Sequence, residues 1–243
     1  MPHVVPCNQC ALRRLDVFRS NTPEELDFIQ QFKQDHVTLE ADKAVVREGE
    51  RSELYTLYSG LAFRYKTMRD GRRQILNFLF PGDLIGLQDQ LGDNAQHGVE
   101  TLTTVQLCRF KRDELWSLFR SHPALGYDVT WLAAHEESVV DDNLLTVGRR
   151  TAHERIAVLM MSFYKRAASV GMENEGRVPF PVTQQLIADA IGMSLIHTNR
   201  SMRQLRALGL YEIKQGWLSL PKPNTLARLT EYFASPVKAR PLI

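Results

Sequence analysis

The sequence predicts an α+β chain in which a β-roll, a long helix and a winged helix-turn-helix follow one another. Three observations predict this order. Short strand-like runs separated by glycine turns occupy residues 37–112, a coiled-coil-like spacing occupies residues 125–143, and two short helices with a hairpin occupy residues 182–220. With 243 residues, 44% of them hydrophobic, the chain is long enough for two domains that each bury a core.

The elements follow from their start and stop signals. Thr22 is placed to cap a short helix that begins at Pro23 and ends near Lys33. Strands are expected at residues 37–39, 44–46, 54–58, 61–67, 74–80 and 99–110. Further helices are expected at residues 113–119, 123 to about 147, 151–168 (with Thr151 and Glu154 at capping-box spacing) and 225–234. Strands at this spacing with glycine turns are typical of a compact β-barrel or roll.

The long helix carries a regular seam. Its members recur at a 4-3-4-3-4 spacing and are Leu125, Val129, Leu132, Glu136, Val139 and Asn143. Such a seam fits contact with the same helix of a second chain. A helix buried within its own chain gives much the same stripe, so periodicity leaves both interpretations open.

Four segments are expected: a cysteine-bearing leader at residues 1–20, the β-roll at 21–121, the long helix at 122–148 and the winged helix-turn-helix at 149–243. The N-terminus lacks a hydrophobic signal core, and no apolar run approaches the ~18 residues of a membrane span. Three cysteines are too few for a disulfide scaffold. We therefore expect a reducing, cytoplasmic location and no membrane partner.

Residues 182–220 carry the strongest motif. A helix capped by Thr183 is followed by a turn at residues 192–194 and by a second helix that Gly209 ends. The second helix has an expected inward stripe of Leu195, Thr198, Met202 and Leu205, and an outward face of Ile196, His197, Asn199, Arg200 and Arg203. A hairpin wing turns at residues 214–216. A helix-turn-helix presents such a face to the DNA major groove, whereas an ordinary αα-hairpin would merely solvate it.

The charge is divided along the chain. Residues 1–147 hold 16 basic and 22 acidic residues, whereas residues 148–243 hold 14 basic and 6 acidic residues. A basic C-terminal part fits binding to double-stranded DNA. The predicted DNA-binding residues are Thr183, Gln184, Ser194, Ile196, His197, Asn199, Arg200, Arg203 and Lys214. Among them Arg200 suits guanine, Asn199 suits adenine, and Thr183, Gln184 and Lys214 are candidates for phosphate contacts.

Five short motifs stand in a fixed order at residues 47–50, 58–60, 70–73, 81–86 and 183–210. In this order they resemble the Crp/Fnr superfamily of bacterial transcription regulators, and the resemblance covers almost the whole chain. The resemblance implies a cyclic-nucleotide-binding-like β-roll as sensor domain and the long helix as homodimer interface, with Leu125, Val129, Leu132 and Val139 at the contact. It also implies two winged helices that read a palindromic site, and RNA polymerase as partner if the chain activates transcription.

The resemblance also locates departures from the family. The family's recognition helix usually carries Glu-x-x-Ser-Arg or Glu-x-x-Gly-Arg, whereas Ile196, Asn199 and Arg200 stand here, so we expect a different half-site. Members that bind cyclic AMP carry an Arg-Ser or Arg-Thr pair and a Gly-Glu-Leu element. Residues 82–84 read Gly-Asp-Leu, and residues 95–99 offer no Arg beside a hydroxyl. Because a cyclic phosphate would lack its bidentate partner, no cyclic AMP binding is expected.

The three cysteines suggest a different signal. Cys7 and Cys10 form a C-x2-C, and Cys108 lies in the last strand, at positions resembling the ligands of the oxygen-labile [4Fe-4S] cluster of Fnr regulators. A further cysteine of that pattern falls on Asp16 or Phe18, of which only Asp16 offers a ligand atom. Three interpretations stay open: a cluster, a Cys7–Cys10 thiol-disulfide switch, or no sensing, with Cys108 a small buried hydrophobe and the other two exposed on a mobile leader.

The leading hypothesis is a homodimeric DNA-binding transcription regulator that is controlled through its β-roll, with oxygen or redox state as a candidate signal. The alternatives are a ligand-sensing module that acts through a protein partner and a constitutive DNA binder without a cofactor. An enzyme is not expected, because the histidines are scattered and the sequence has no Ser/His/Asp, paired-carboxylate or P-loop arrangement.

Overall fold

The computed structural model describes residues 5–88, 94–111, 114–230 and 239–243. Within these ranges the helices are α1 (Pro23–Phe32), α2 (Leu115–Ser121), α3 (Pro123–Arg149), α4 (Ala152–Ser169), α5 (Gln184–Ile191), α6 (Leu195–Ala207) and α7 (Pro223–Thr230). The strands are β1 (Lys33–Leu39), β2 (Ala44–Val46), β3 (Leu54–Ser59), β4 (Ala62–Thr67), β5 (Arg73–Leu79), β6 (Leu84–Ile85), β7 (Gly98–Thr101), β8 (Val105–Phe110), β9 (Arg177–Pro179), β10 (Glu212–Lys214) and β11 (Trp217–Ser219). The chain divides into two compact units.

The first unit comprises the described residues of Met1–Lys66, Leu79–Ser138 and Lys238–Ile243. One sheet has the strand order β1-β8-β3-β6, and a second contains β2, β7 and β4 in that order. The single strand expected at residues 99–110 is in fact two strands, β7 and β8. Two short 3-10 helices, Cys7–Gln9 and Ala11–Arg14, precede α1. Cys7 lies in one apolar cluster with Leu54 and Phe110, so the leader is folded against the β-roll.

The stripe of α3 lies in the core of its own chain. Leu125, Val129 and Leu132 are at most 5% exposed and belong to one apolar cluster with Phe32 and Phe110. The prediction that these three residues meet a second chain is therefore wrong, because the β-roll already covers them. Val139, the fourth member, is half-buried. Periodicity locates the buried side of a helix without saying what buries it.

The capping predictions are confirmed. Thr22 accepts a hydrogen bond from the Glu25 backbone while the Glu25 carboxylate accepts one from the Thr22 backbone, and Thr151 forms the same capping box with Glu154. Each box satisfies N–H groups that the first turn of a helix leaves without intrahelical partners. The helix expected at residues 225–234 is α7, and residues 231–234 lie outside the described residues.

The second unit comprises the described residues of Thr67–Phe78 and Val139–Val237. It contains a three-stranded sheet of order β10-β11-β9, whose strand β9 lies between α4 and α5, where no strand was expected from the sequence. Residues 67–78 belong to this unit and not to the β-roll unit: Arg73 pairs with Asp189 at 3.2 Å, and the Gln74 amide donates to the Ala190 carbonyl at 3.0 Å. In the described residues no helix is long and apolar enough to cross a membrane.

We predict that Leu125→Ala lowers the free energy of unfolding by about 2–5 kcal/mol, because it leaves a cavity in a core that cannot fully collapse. Urea unfolding followed by circular dichroism measures the change. The matched control is Leu208→Ala, because Leu208 is 61% exposed; its effect stays within about 0.5 kcal/mol. Equal effects of the two substitutions would contradict the placement of Leu125.

Candidate nucleic-acid interface and cysteine cavity

Helix α6 is oriented by one buried stripe. Thr198, Met202 and Leu205 are at most 6% exposed, and the Tyr211 hydroxyl donates to the Met202 carbonyl at 2.9 Å. Burial raises the pKa of Tyr211 to about 12, so this hydroxyl stays a donor. Leu195, which was expected in the stripe, is instead 40% exposed, because it lies in the first turn.

The opposite face of α6 is open. Ile196 is 84% exposed, and His197, Arg200 and Arg203 are exposed as well. Asn199 is half-buried, and its side-chain oxygen has no hydrogen-bond partner within the described residues. Positions 196, 199, 200 and 203 are spaced as neighbours on one helical face. The structure therefore brings the predicted base-reading residues together on one face, where Arg200 and Arg203 are exposed and the Asn199 side-chain oxygen is buried.

A groove joins this face to the start of α5. Gln184, Asn199 and Arg203 line an open concavity of about 590 Å³, together with Arg206. The sequence prediction missed Arg206, although its position one turn after Arg203 is the signal that could have found it. Arg206 adds a third exposed arginine to Arg200 and Arg203, which strengthens the attraction of this surface for phosphates.

Two hydroxyl caps set the helix-turn-helix geometry. Thr183 accepts from the Leu186 backbone at 3.2 Å, and Ser194 accepts from the His197 backbone at 3.3 Å. Gly192 ends α5 at φ +65°, a left-handed conformation that side chains disfavour. Both hydroxyls are exposed and keep a free proton for a phosphate oxygen. Thr183, which was predicted as a cap, and Ser194, which was predicted only as a turn and DNA-binding residue, thus fix the turn and remain in position for phosphate contact.

The wing ends in a tight two-residue turn. Gln215 and Gly216 have φ values of +50° and +77°, and Lys214 pairs with Trp217 across the hairpin. Lys214 is exposed at this tip, but its ammonium group lies 2.7 Å from the Glu212 carboxylate. Its charge is therefore partly compensated, and we expect it to contribute less to phosphate binding than Arg200 does.

The three cysteines meet in the first unit. Cys7 and Cys10 are three positions apart on a 3-10 turn, where such side chains eclipse each other. Cys108 of β8 lies between His36 of β1 and Thr56 of β3. All three cysteines line one cavity of about 20 Å³, which holds about one water molecule. Residues about a hundred positions apart in sequence therefore share one site.

The surroundings of these thiols are cationic. Arg13 and Lys33 line the same cavity. Burial raises the pKa of the Cys108 thiol to about 12, because desolvation outweighs the opposing effect of Lys33. The Cys108 sulfur lies 3.4 Å from the His36 ring, whose own pKa burial lowers. Cys108 is therefore a neutral thiol at physiological pH.

This arrangement does not fit a [4Fe-4S] cluster. The cavity is too small, and the described residues contain no group of three or more His, Cys, Asp or Glu side chains placed to hold a metal ion. Asp16, the expected oxygen ligand, is exposed on a turn and does not line the cavity. Cys7 is only 7% exposed, so the interpretation of an exposed remnant on a mobile leader is also wrong for Cys7.

The fold and the α6 face define a winged helix-turn-helix DNA-binding protein that carries a β-roll domain. The sequence model of the cyclic nucleotide-binding domain matches residues 36–122, and that of the Crp-like helix-turn-helix domain matches residues 154–229. The chain belongs to the Crp/Fnr superfamily of transcription regulators. The predicted family and fold class are thereby confirmed.

Similar proteins agree with this assignment. The nitrogen fixation regulation protein FixK of Bradyrhizobium diazoefficiens is 28% identical, over 92% of this chain and 93% of FixK. The transcriptional activator protein FnrL of Cereibacter sphaeroides is 27% identical, over 87% of this chain and 88% of FnrL. The structure of FixK2 from Bradyrhizobium japonicum has a TM-score of 0.73 at 25% identity and covers 83% of this chain and 98% of FixK2. These relatives are regulators and not enzymes, and this chain is a DNA-binding regulator of the same class.

We predict that Arg200→Ala weakens binding to the cognate duplex by about 5- to 150-fold and relaxes discrimination at one base pair, because a bidentate guanine contact is lost. Fluorescence anisotropy with wild-type and single-base-substituted duplexes measures both effects. Lys214→Ala is the comparison variant: it should weaken all duplexes equally and by less. Unchanged affinity and preference in the Arg200 variant would contradict the docking of α6.

Proposed function

We propose that the chain is a homodimeric, sequence-specific transcription regulator whose affinity for a palindromic DNA site responds to the state of the Cys7, Cys10 and Cys108 thiols. The observation that carries the thiol part is the convergence of all three cysteines on one cavity with Arg13 and Lys33. Cations beside thiols favour the reactive thiolate once water reaches them. A response that depends on reactive thiolates would not require an iron-sulfur cluster.

The second half of α3 supports pairing with a second copy of the chain. Val140, Leu144 and Leu145 are 37%, 70% and 52% exposed, a run of apolar side chains with an i,i+4 pair. Such a run on a long helix is costly to leave in water and fits a helix–helix contact between two chains. The proposed interface therefore lies on these residues and not on the buried stripe at Leu125.

Two paired winged helices would read half-sites about one helical turn apart, so a palindrome is the expected target. Ile196 replaces the usual acid of the family's recognition helix and offers a methyl contact to thymine. Relatives that are named transcriptional activators support RNA polymerase as a further partner. An absence of salt-dependent DNA retardation would instead favour a module that acts through another protein.

The interior of the β-roll supports a signal other than cyclic AMP. Arg64 is buried and pairs with Glu136 at 2.9 Å. Desolvation, with Arg64 and Lys66 nearby, lowers the pKa of buried His97 to about 3, so His97 is neutral. A cyclic phosphate that recruited Arg64 would have to break this ion pair between two poorly exposed side chains.

We predict that Leu144→Asp converts the dimer to a monomer and weakens binding to a palindrome by at least about a hundredfold, because the two half-sites no longer act together. Sedimentation velocity and anisotropy titration measure the two effects. Met68→Asp is the control, because Met68 is also exposed, at 57%, but lies in residues 67–78 of the second unit and not on α3. A dimeric Leu144 variant would refute the proposed interface.

We predict that oxidation with diamide changes the DNA affinity of the wild type by about fivefold or more, as a moderate coupling between two sites does. The variant with all three cysteines replaced by serine should show no change. Equal affinities of reduced and oxidised wild type would contradict thiol sensing. Iron and sulfide bound stoichiometrically after anaerobic purification would replace it with cluster sensing.

A further inference from the structure

Residues 239–243, which we call the strap, lie in the first unit although they follow the winged helix in sequence. Its backbone pairs with the leader: the Arg240 N–H donates to the Val17 carbonyl at 2.8 Å, and the Arg19 N–H donates to the Arg240 carbonyl at 2.9 Å. These bonds form a parallel bridge between Phe18 and Arg240. The strap and the leader that carries Cys7 and Cys10 therefore hold each other in place.

A buried charge pair anchors the strap to the β-roll. The guanidinium of Arg240 donates to the Asp83 carboxylate and, at 3.0 Å, to the Pro81 carbonyl. The Asp83 side chain is fully buried, and Arg240 lies over the Phe18 ring with 5.0 Å between the guanidinium carbon and the ring centre. Gly82 has φ +89°, and any side chain there would collide with Phe18. Because a buried carboxylate needs its cation, this loop is built to receive Arg240.

The tip of the strap fills the cysteine site. Leu242 and Ile243 are 3% and 4% exposed, and both line the cavity with the three cysteines. The Thr56 hydroxyl donates to the Ile243 carbonyl at 2.8 Å. Thr56 is also the β3 neighbour of Cys108, so one short stretch of strand positions both the strap and the thiol. With these side chains in place, the remaining space holds about one water molecule.

We propose that the strap is an internal occupant of the cysteine cavity, and that any group larger than water attached to these sulfurs must expel Leu242 and Ile243. The reason is steric: close-packed side chains give way as a unit, because a packed core does not deform continuously. Thiol modification and strap seating therefore exclude each other.

Release of the strap should also affect DNA binding. The strap follows the winged helix on the same polypeptide, so its release removes one point at which the C-terminal part of the chain is held at the cysteine cavity. This link to DNA binding rests on the proposed thiol sensing. The occupation of the cysteine cavity by the strap rests only on the contacts described above. Release should therefore change DNA affinity in the direction in which thiol modification changes it.

The test uses full-length protein and N-ethylmaleimide, which adds the thiol sulfur to one alkene carbon and the thiol proton to the other, with no leaving group. Alkylated wild type should exchange the backbone amide hydrogens of Arg19 and Arg240 about tenfold faster or more than unmodified wild type. The reason is that release of the strap breaks the hydrogen bonds that protect these amides. The variant with three serines in place of the cysteines, treated identically, is the control and should not change. Unchanged exchange in protein shown by mass spectrometry to be alkylated would overturn the proposal.

The converse experiment removes the strap tip. The double variant Leu242→Ala, Ile243→Ala should be alkylated at Cys10 and Cys108 about tenfold faster or more than wild type, and Leu208→Ala should match wild type. A milder variant, Leu242→Ala alone, is used if circular dichroism shows that the double variant is unfolded. Wild-type alkylation rates in a folded strap variant would also overturn the proposal. If the strap variant is alkylated faster but binds DNA with wild-type affinity, the result would support occupation of the cysteine cavity by the strap and contradict the proposed thiol sensing.

Discussion

The DNA-binding unit depends on the burial of one stripe of α6. With Thr198, Met202 and Leu205 held in the core, the helix has no freedom to rotate, and Arg200 must face solvent. The Tyr211 hydroxyl fastens the wing to the same helix through the Met202 carbonyl. Specific recognition of DNA needs this rigidity, since a base contact depends on the position of a side chain whose backbone does not move.

In the first unit the comparable constraint is the meeting of leader, strand β8 and strap around the thiols. Each of these pieces is short and could not bury its apolar residues alone. Together they place Cys7, Cys108 and Ile243 in one small cavity, with the charge of Arg240 satisfied by Asp83. A site made from three distant parts of a chain is suited to sensing, because a change at the sulfurs has to move one of the parts.

Much of the architecture follows from local rules in the sequence. The caps at Thr22, Thr151 and Thr183 are read from side chains a few residues apart, and the structure contains all three. What covers a helix or fills a cavity is a long-range matter. The stripe at Leu125 shows helical periodicity whichever surface buries it. Similarly, no sequence feature near Arg240 indicates that Asp83 is its partner. The sequence shows the spacing of the three cysteines, but it does not show that the strap packs into the cavity that they line.

DNA recognition through paired α6 helices is tested most directly by selecting bound duplexes from a random library with the reduced full-length protein, at several salt concentrations. We expect enrichment of an inverted repeat with half-site centres about 10 base pairs apart, guanine at one position of each half, and affinity that falls steeply with salt. Enrichment of no inverted repeat, or salt-independent retention of DNA, would contradict it.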